Sequence, residues 1–400
     1  MHTLISDNAA LVAFCQSLAA EPFVTVDTEF LRENTYWSKL CVIQMAGADQ
    51  AAAIDALAPG LDLQPVFDIL ADPNVLKVFH AARQDLEIFC QLMEQVPAPL
   101  FDSQVAAMVC GFGDSIAYDR LVQALTGKEL DKASRFTNWA ERPLTEAQID
   151  YALGDVTHLR DVYRALAAKL EETGRSHWLA DEMAILADPA SYRTEPDQAY
   201  LRLKSRTTKP KFVAVLQQVA AWREREAQSR NQPRNWVVRD DTILNIAAQA
   251  PTNLQSLGRV RGLGKGQAEG RIGREILEAV EAGLNLPPDQ RPNPRSPQPE
   301  GARATAAADL LKVLLKACCD NEGVAPKLIA NSSDLDRLSA GERNGIMALE
   351  GWRRDVFGQH AIDLMEGRLA LTYRKGQIAW LHADTVSEGV VSAGAAQEPA

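Results

Sequence analysis

Asp27 and Glu29 stand two residues apart in Pro22-Phe23-Val24-Thr25-Val26-Asp27-Thr28-Glu29-Phe30. Period-two alternation makes this stretch a strand, so both carboxylates leave the same face. Two like charges side by side repel unless something positive joins them, and a divalent cation is the simplest remedy; a strand end open to solvent is the alternative. Asp85 follows the strand-like Val75–His80 run and falls in the first turn of a helix, where an acid also suits the helix dipole. Tyr151 and Asp155 are at i and i+4 in Tyr151-Ala152-Leu153-Gly154-Asp155, stacked on one helix face, a spacing that a simple hydrogen-bonded pair also satisfies. The carboxylates are hard oxygen ligands, which select Mg²⁺ or Mn²⁺, and no cysteine–histidine set competes for zinc.

The elements that must position these groups alternate between strand and helix. Strands are expected at 22–30, 40–45 and, more weakly, 51–55, together an antiparallel meander. A helix over 62–70, a buried strand at 75–80, a helix over 83–93 and a short strand at 100–102 follow. From Ser103 to Arg175 the pattern is helical, with breaks near Gly111, Gly127 and Pro143. This order implies a mixed sheet flanked by helices. Residues 196–285 read as a helical bundle. Six prolines within 287–299 then mark an extended linker, assigned to 286–303. Residues 304–382 read as helical again and faintly repeat the preceding bundle, and the small, polar tail 387–400 is expected to be disordered.

The chain has 400 residues, enough for two to three domains at roughly 150 each. It is 46% hydrophobic and 24% charged, which excludes wholesale disorder, and its apolar runs fall short of the ~18 residues of a membrane span. The N-terminus does not read as a signal peptide, and six cysteines among aliphatic neighbours point to reduced thiols in a cytoplasm. The formal charge of −11 argues against a polyanionic partner, but it conceals an asymmetry. Between Tyr200 and Glu275 there are 15 Lys and Arg against 6 Asp and Glu, a local +9 that leaves −20 elsewhere. A basic module of this kind can hold a polyanion through phosphate contacts; a solvated helical face is the plainer reading.

Taken together, Val26-Asp27-Thr28-Glu29-Phe30, His80-Ala81-Ala82-Arg83-Gln84-Asp85-Leu86-Glu87-Ile88-Phe89 and Tyr151-Ala152-Leu153-Gly154-Asp155-Val156 resemble, in order and in element type, the DEDD superfamily of 3′→5′ exonucleases. The subclass is the one with Tyr rather than His ahead of the last Asp. Leu130-Asp131-Lys132 and Trp139-Ala140-Glu141-Arg142-Pro143-Leu144-Thr145-Glu146 look like the equivalent region of the bacterial ribonuclease D family. The basic segment, with Trp222-Arg223 and Gly262-Leu263-Gly264-Lys265-Gly266, resembles an HRDC domain. The resemblance implies an RNase H-like mixed-sheet exonuclease domain (1–190) followed by two helical HRDC-type modules (200–285, and a degenerate 304–382), in class α/β plus all-α.

It also implies a mechanism: two metal ions, with Asp27 bridging both, Glu29 and Asp155 holding the ion that carries the attacking water, Asp85 supporting the other largely through water, and Tyr151 orienting the nucleophile. The implied substrate is the 3′ end of structured RNA, tRNA precursors foremost, with no membrane and no obligatory protein partner. A DNA-directed enzyme of the same fold and an inactive nucleic-acid tether are the alternatives, and the presence of all five motif residues speaks against the tether. Among further candidates for nucleic-acid contact, His80 could line the nucleotide pocket or be structural. Lys132, Arg135 and Arg142 are placed at the mouth of the site, and Arg261 and Lys265 flank the glycine-rich turn of the basic module. Trp139 could stack on a base or simply pack, and Asp102 is read as the cap of the helix that begins at Ser103.

Overall fold

The computed structural model describes residues 3–130, 137–205, 207–292 and 306–382. They form two compact units, one of residues 1–106 and 117–300, the other of 107–116 and 301–400. The first unit begins with β1 (Leu4–Ile5), α1 (Asn8–Leu18), β2 (Phe23–Leu31), β3 (Lys39–Ala46) and β4 (Ala51–Asp55). It continues through α2 (Gln64–Ala71), β5 (Leu76–Phe79), α3 (Arg83–Met93) and β6 (Leu100–Asp102). Helices α4 (Ser103–Val109), α5 (Tyr118–Thr126), α6 (Glu146–Glu172) and α7 (Ser176–Leu186) follow. The sheet order is β1-β4-β3-β2-β5-β6: β2, β3 and β4 form the expected antiparallel meander, and β5 and β6 add parallel to β2. The two-residue β1, parallel to β4, is too short to show any alternation and was not legible.

The central position of β2 explains its composition. Val24 and Val26 are fully buried, and Thr25 is buried with its hydroxyl donating to the Val156 carbonyl at 2.8 Å, which fastens α6 to the sheet. The first turn of α6 is closed by a reciprocal cap between Thr145 and Gln148. Its buried residues Ile149, Ala152, Val156, Leu159, Val162, Leu166 and Leu170 recur at helical spacing, so one apolar stripe docks on the sheet.

The basic helical segment is α8 (Pro210–Ser229), α9 (Arg234–Val237), α10 (Asp240–Gln249), α11 (Leu254–Leu257), α12 (Lys265–Glu269) and α13 (Arg271–Asn285). Val215, Val219, Ile243, Ile246, Leu257, Ile276 and Val280 make its core. Gly283 lets α13 approach α8 so closely that a Cβ there would lie 2.6 Å from the Val215 Cα. This core also takes in Tyr36, from the loop that joins β2 to β3. The Tyr36 hydroxyl donates to the fully buried Glu224 carboxylate and accepts from Arg234 at 2.8 Å and Gln228 at 3.1 Å. Arg234 grips the same carboxylate with two bonds of 2.6 Å, its guanidinium over the Tyr36 ring. Burial alone would raise the Glu224 pKa; the bonds from Arg234 and Tyr36 overcome it and hold the carboxyl below its ordinary range. The backbone amide of Trp37 is tied to Asn231 at 2.9 Å.

In the second unit, α14 (Ala306–Glu322), α15 (Ser332–Ser339) and a helical stretch over 351–365 precede a hairpin of β7 (Leu369–Arg374) and β8 (Gln377–His382). The expectation of helix through 382 is corrected here. Lys375 and Gly376 both have positive φ, 51° and 83°, and turn two alternating runs back on each other; this period-two pattern mimics an amphipathic helix over so short a span. The segment 107–116 belongs to this unit, with the Ala325 amide on the Met108 carbonyl at 3.0 Å and the Lys327 amide on Asp114 at 3.1 Å. The linker beyond residue 292 and the tail 387–400 lie outside the described residues. No helix among the described residues is long and apolar enough to cross a membrane, and all six cysteines are buried.

The Tyr36–Glu224–Arg234 cluster predicts unequal costs. Arg234→Met strands a buried carboxylate and should cost about 3–5 kcal/mol of unfolding free energy, whereas Tyr36→Phe removes one hydrogen bond and should cost about 1 kcal/mol. Urea denaturation followed by tryptophan fluorescence reads both.

Candidate active site

The structure brings the three carboxylates of Asp27, Glu29 and Asp155 to one place, with one oxygen of each within 4.8 Å of the others. Asp27 and Glu29 come from β2, on the face that α6 covers, and Asp155 comes from α6, one turn beyond Tyr151. Asp85 is outside this triad yet coupled to it. It is buried in the first turn of α3 and accepts the Thr28 hydroxyl. Burial, then the negative charge of Asp155, pushes the Asp27 carboxyl well above the ordinary value, against a bond from the Thr28 amide. Burial, then Asp27, pushes Asp85 up in the same direction. All four groups are carboxylate oxygen donors. That donor set fits a hard divalent cation.

Several supports hold the carboxylates in place. Thr25 and Thr28 were not singled out by sequence; alternation in a strand marks their faces but not their hydroxyl bonds. Asp102 does cap α4, accepting from Gln104 at 2.8 Å and Val105 at 3.2 Å. It also accepts from Ala81 at 3.1 Å and Ala82 at 2.8 Å. These bonds pin a turn in which Ala81 adopts a φ of 57°, unusual for a residue with a side chain, and that turn delivers α3 and Asp85 to the sheet. Tyr118, also missed, donates from α5 to the Asp155 carbonyl at 2.8 Å; its phenol is pushed up by burial and then by Asp155 and Asp27.

Of the other expected contacts, His80 is half-buried, its Nδ1 2.9 Å from the Ser103 hydroxyl and its ring 5.2 Å from that of Tyr118. Arg142 is corrected. Its Nε and one terminal nitrogen bind Asp55, and its remaining donors reach the carbonyls of Trp139, Glu141 and Cys41. All five N–H donors are thus engaged, so Arg142 clamps the chain before α6 and has none left for a phosphate. Trp139 is a packed indole, 3% exposed and 6.1 Å from the Tyr151 ring. Lys132 and Arg135 lie outside the described residues. Arg261 and Lys265 are exposed at a turn where Gly262 has a φ of 92° and its α-carbon faces Thr242 too closely for a side chain. The Gly264 amide of that turn is already bonded to Gln267 at 3.3 Å.

Residues 2–171 match the 3′-5′ exonuclease family and residues 213–280 the HRDC domain. Ribonuclease D of Granulibacter bethesdensis is 51% identical over 370 residues, 92% of this chain and 94% of that protein. The chain belongs to the ribonuclease D family. Ribonuclease D of Nitrobacter hamburgensis is 49% identical, covering 94% of this chain and 98% of the relative. The crystal structure of Escherichia coli RNase D, described as an exoribonuclease involved in structured RNA processing, is similar with a TM-score of 0.79 at 28% identity, over 92% of this chain and 99% of that one. As a ribonuclease D family member, the chain is a 3′-5′ exoribonuclease.

The raised carboxyls carry a stability consequence. A carboxyl that holds its proton more tightly in the folded than in the unfolded chain favours folding at low pH, and the advantage is lost as pH climbs from about 4 through the raised value. Asp27→Asn should therefore raise the melting temperature of the metal-free protein by a few degrees at about pH 7 and by less at about pH 4, as read by calorimetry in EDTA.

Proposed function

We propose that this ribonuclease D family member releases nucleoside monophosphates from the 3′ ends of structured RNAs, tRNA precursors foremost. In this reading Asp27, Glu29, Asp85 and Asp155 hold two divalent ions, Mg²⁺ or Mn²⁺. The observation that carries it is the convergence of three carboxylates from β2 and α6 within 4.8 Å, with the buried Asp85 held by the hydroxyl of Thr28, the residue between Asp27 and Glu29. When bound, paired divalent cations polarise the phosphodiester, make water acidic and offset charge on the leaving oxygen.

The chain's own groups supply position. Asp27, with one oxygen within 4.8 Å of those of Glu29 and Asp155, would help hold the cations when they are bound. Thr28 fixes the orientation of Asp85 by its hydroxyl bond. Tyr151, one turn ahead of Asp155, is the hydrogen-bond partner for the attacking water, and the packed Trp139 indole limits where its ring can go. Arg261 and Lys265 supply phosphate contacts from the HRDC domain, where among the described residues neither makes an ion pair. Six buried cysteine thiols support a reducing, cytoplasmic setting.

Digestion of 3′- and 5′-labelled tRNA precursor tests the reading. The 3′ label should leave at once as mononucleotide, the 5′-labelled strand should shorten in single steps, and EDTA should stop both. Asp27→Asn should lower the rate about a thousandfold, equivalent to ~4 kcal/mol of lost charge stabilisation. Internal cleavage, or full activity in EDTA, would overturn it; faster hydrolysis of a matched DNA overhang would reassign the substrate.

A further inference from the structure

Within the first unit, between the β2–β3 loop and α3 on one side and the start of the HRDC helices on the other, lies a cleft of about 180 Å³ with almost wholly polar walls. Four arginines line it, Arg32, Arg83, Arg202 and Arg234, against a single carboxylate, Glu87. Glu87 neutralises Arg32 through two bonds of 2.8 Å, and Glu224 neutralises Arg234 from beneath. The other two form no ion pair among the described residues, although Arg202 lies near enough to Glu224 to help hold that carboxyl down. Arg83 reaches the Ser191 carbonyl at 3.3 Å and sits 5.9 Å from the Tyr192 ring centroid, while Arg202 is exposed and makes neither a hydrogen bond nor an ion pair among the described residues. Four guanidinium charges in this concave wall thus face two carboxylates, Glu87 and Glu224, and the wall keeps a net positive charge. Such a wall focuses a positive potential, and the guanidinium fork matches the oxygens of a phosphate.

The cleft takes residues from α3 and from the loop after β2, the elements that carry or adjoin Asp85, Asp27 and Glu29. Arg32 follows Glu29 by three residues, about 10 Å of chain at ~3.3 Å per residue, and Arg83 precedes Asp85 by two residues on α3. A single strand whose 3′ end rests among the carboxylates has further phosphates to place, and these arginines are on the elements that supply the carboxylates. We propose that the cleft is a phosphate site for the RNA strand upstream of the scissile bond, gripped by Arg83 and Arg202. The assignment rests on the exoribonuclease reading of the carboxylate centre. Inorganic phosphate and the released mononucleotide share the same chemistry, so the test separates them from the strand.

The experiment uses the full chain carrying Arg202→Glu, with Arg202→Lys as the conservative control. Binding of a single-stranded RNA of about ten nucleotides, measured in an Asp27→Asn background so that it is not consumed, should weaken about tenfold in Arg202→Glu, and the plot of log affinity against log salt should become shallower by about 0.7, the share of one phosphate contact. Arg202→Lys should keep most of the affinity. With Asp27 intact, Arg202→Glu should lower hydrolysis of a dinucleotide, which has no phosphate upstream of the scissile one, far less than hydrolysis of the ten-nucleotide strand. Unchanged RNA affinity and salt slope would overturn the proposal, as would an equal loss on the dinucleotide and the longer strand. If Arg202→Glu abolishes the thermal stabilisation given by inorganic phosphate but leaves RNA affinity intact, the cleft holds free phosphate and the strand assignment falls. Failure of the unmodified chain to release mononucleotides from the ten-nucleotide strand would instead remove the reading of the carboxylate centre, independently of the cleft.

Discussion

Negative charge crowded onto the junction of one strand and one helix is the constraint around which the first unit is arranged. Asp27 and Glu29 cannot separate, because the pleat of β2 puts them on the same face, and Asp155 cannot withdraw, because the apolar stripe of α6 seats it there. Left to electrostatics, this corner of the fold would loosen. It is held by neutral hydroxyls at its margins: Thr25 on the Val156 carbonyl, Thr28 on Asp85 and Tyr118 on the Asp155 carbonyl. None of these cancels charge. They fix the backbone and one carboxyl, and burial first, then the neighbouring carboxyl charge, pushes Asp27 and Asp85 up.

The same economy separates arginines that build from arginines that can bind. Arg142 and Arg234 spend their donors on Asp55 and Glu224, and each fixes a stretch of chain, the approach to α6 in one case and the β2–β3 loop in the other. Arg261 and Arg202 are exposed and make no ion pair among the described residues. The local excess of positive charge in the sequence between Tyr200 and Glu275 does not distinguish these roles. Only the geometry shows which guanidinium groups are already engaged.

Much of the site was legible because its chemistry depends on residue type and local period. Asp27, Glu29 and the i, i+4 pair Tyr151 and Asp155 follow from strand and helix geometry, and their order along the chain carried the resemblance that joined them. The strands of the meander and the helix Arg83–Met93 were readable for the same reason. What stayed hidden depends on contacts between distant stretches. Arg142 looked like a surface cation because its partner Asp55 lies 87 residues away. The second role of Asp102 requires knowing that β6 lies beside β5 and therefore beside the turn at Ala81. The hairpin 369–382 failed for another reason: six residues of alternation on each side of a Lys-Gly turn are too few to tell a period of two from one of 3.6.

The loop around Tyr36 bears on how such a chain can be cut and recombined. Its aromatic ring is a plug in a neighbouring hydrophobic core, while its stem is the strand that presents Asp27 and Glu29. Removing the helices after residue 200 would leave that plug without a socket, bare to water at the end of β2. The nuclease half is therefore not a detachable cassette, and grafting a foreign helical appendage onto it would require rebuilding a socket for Tyr36 as well as a surface for nucleic acid.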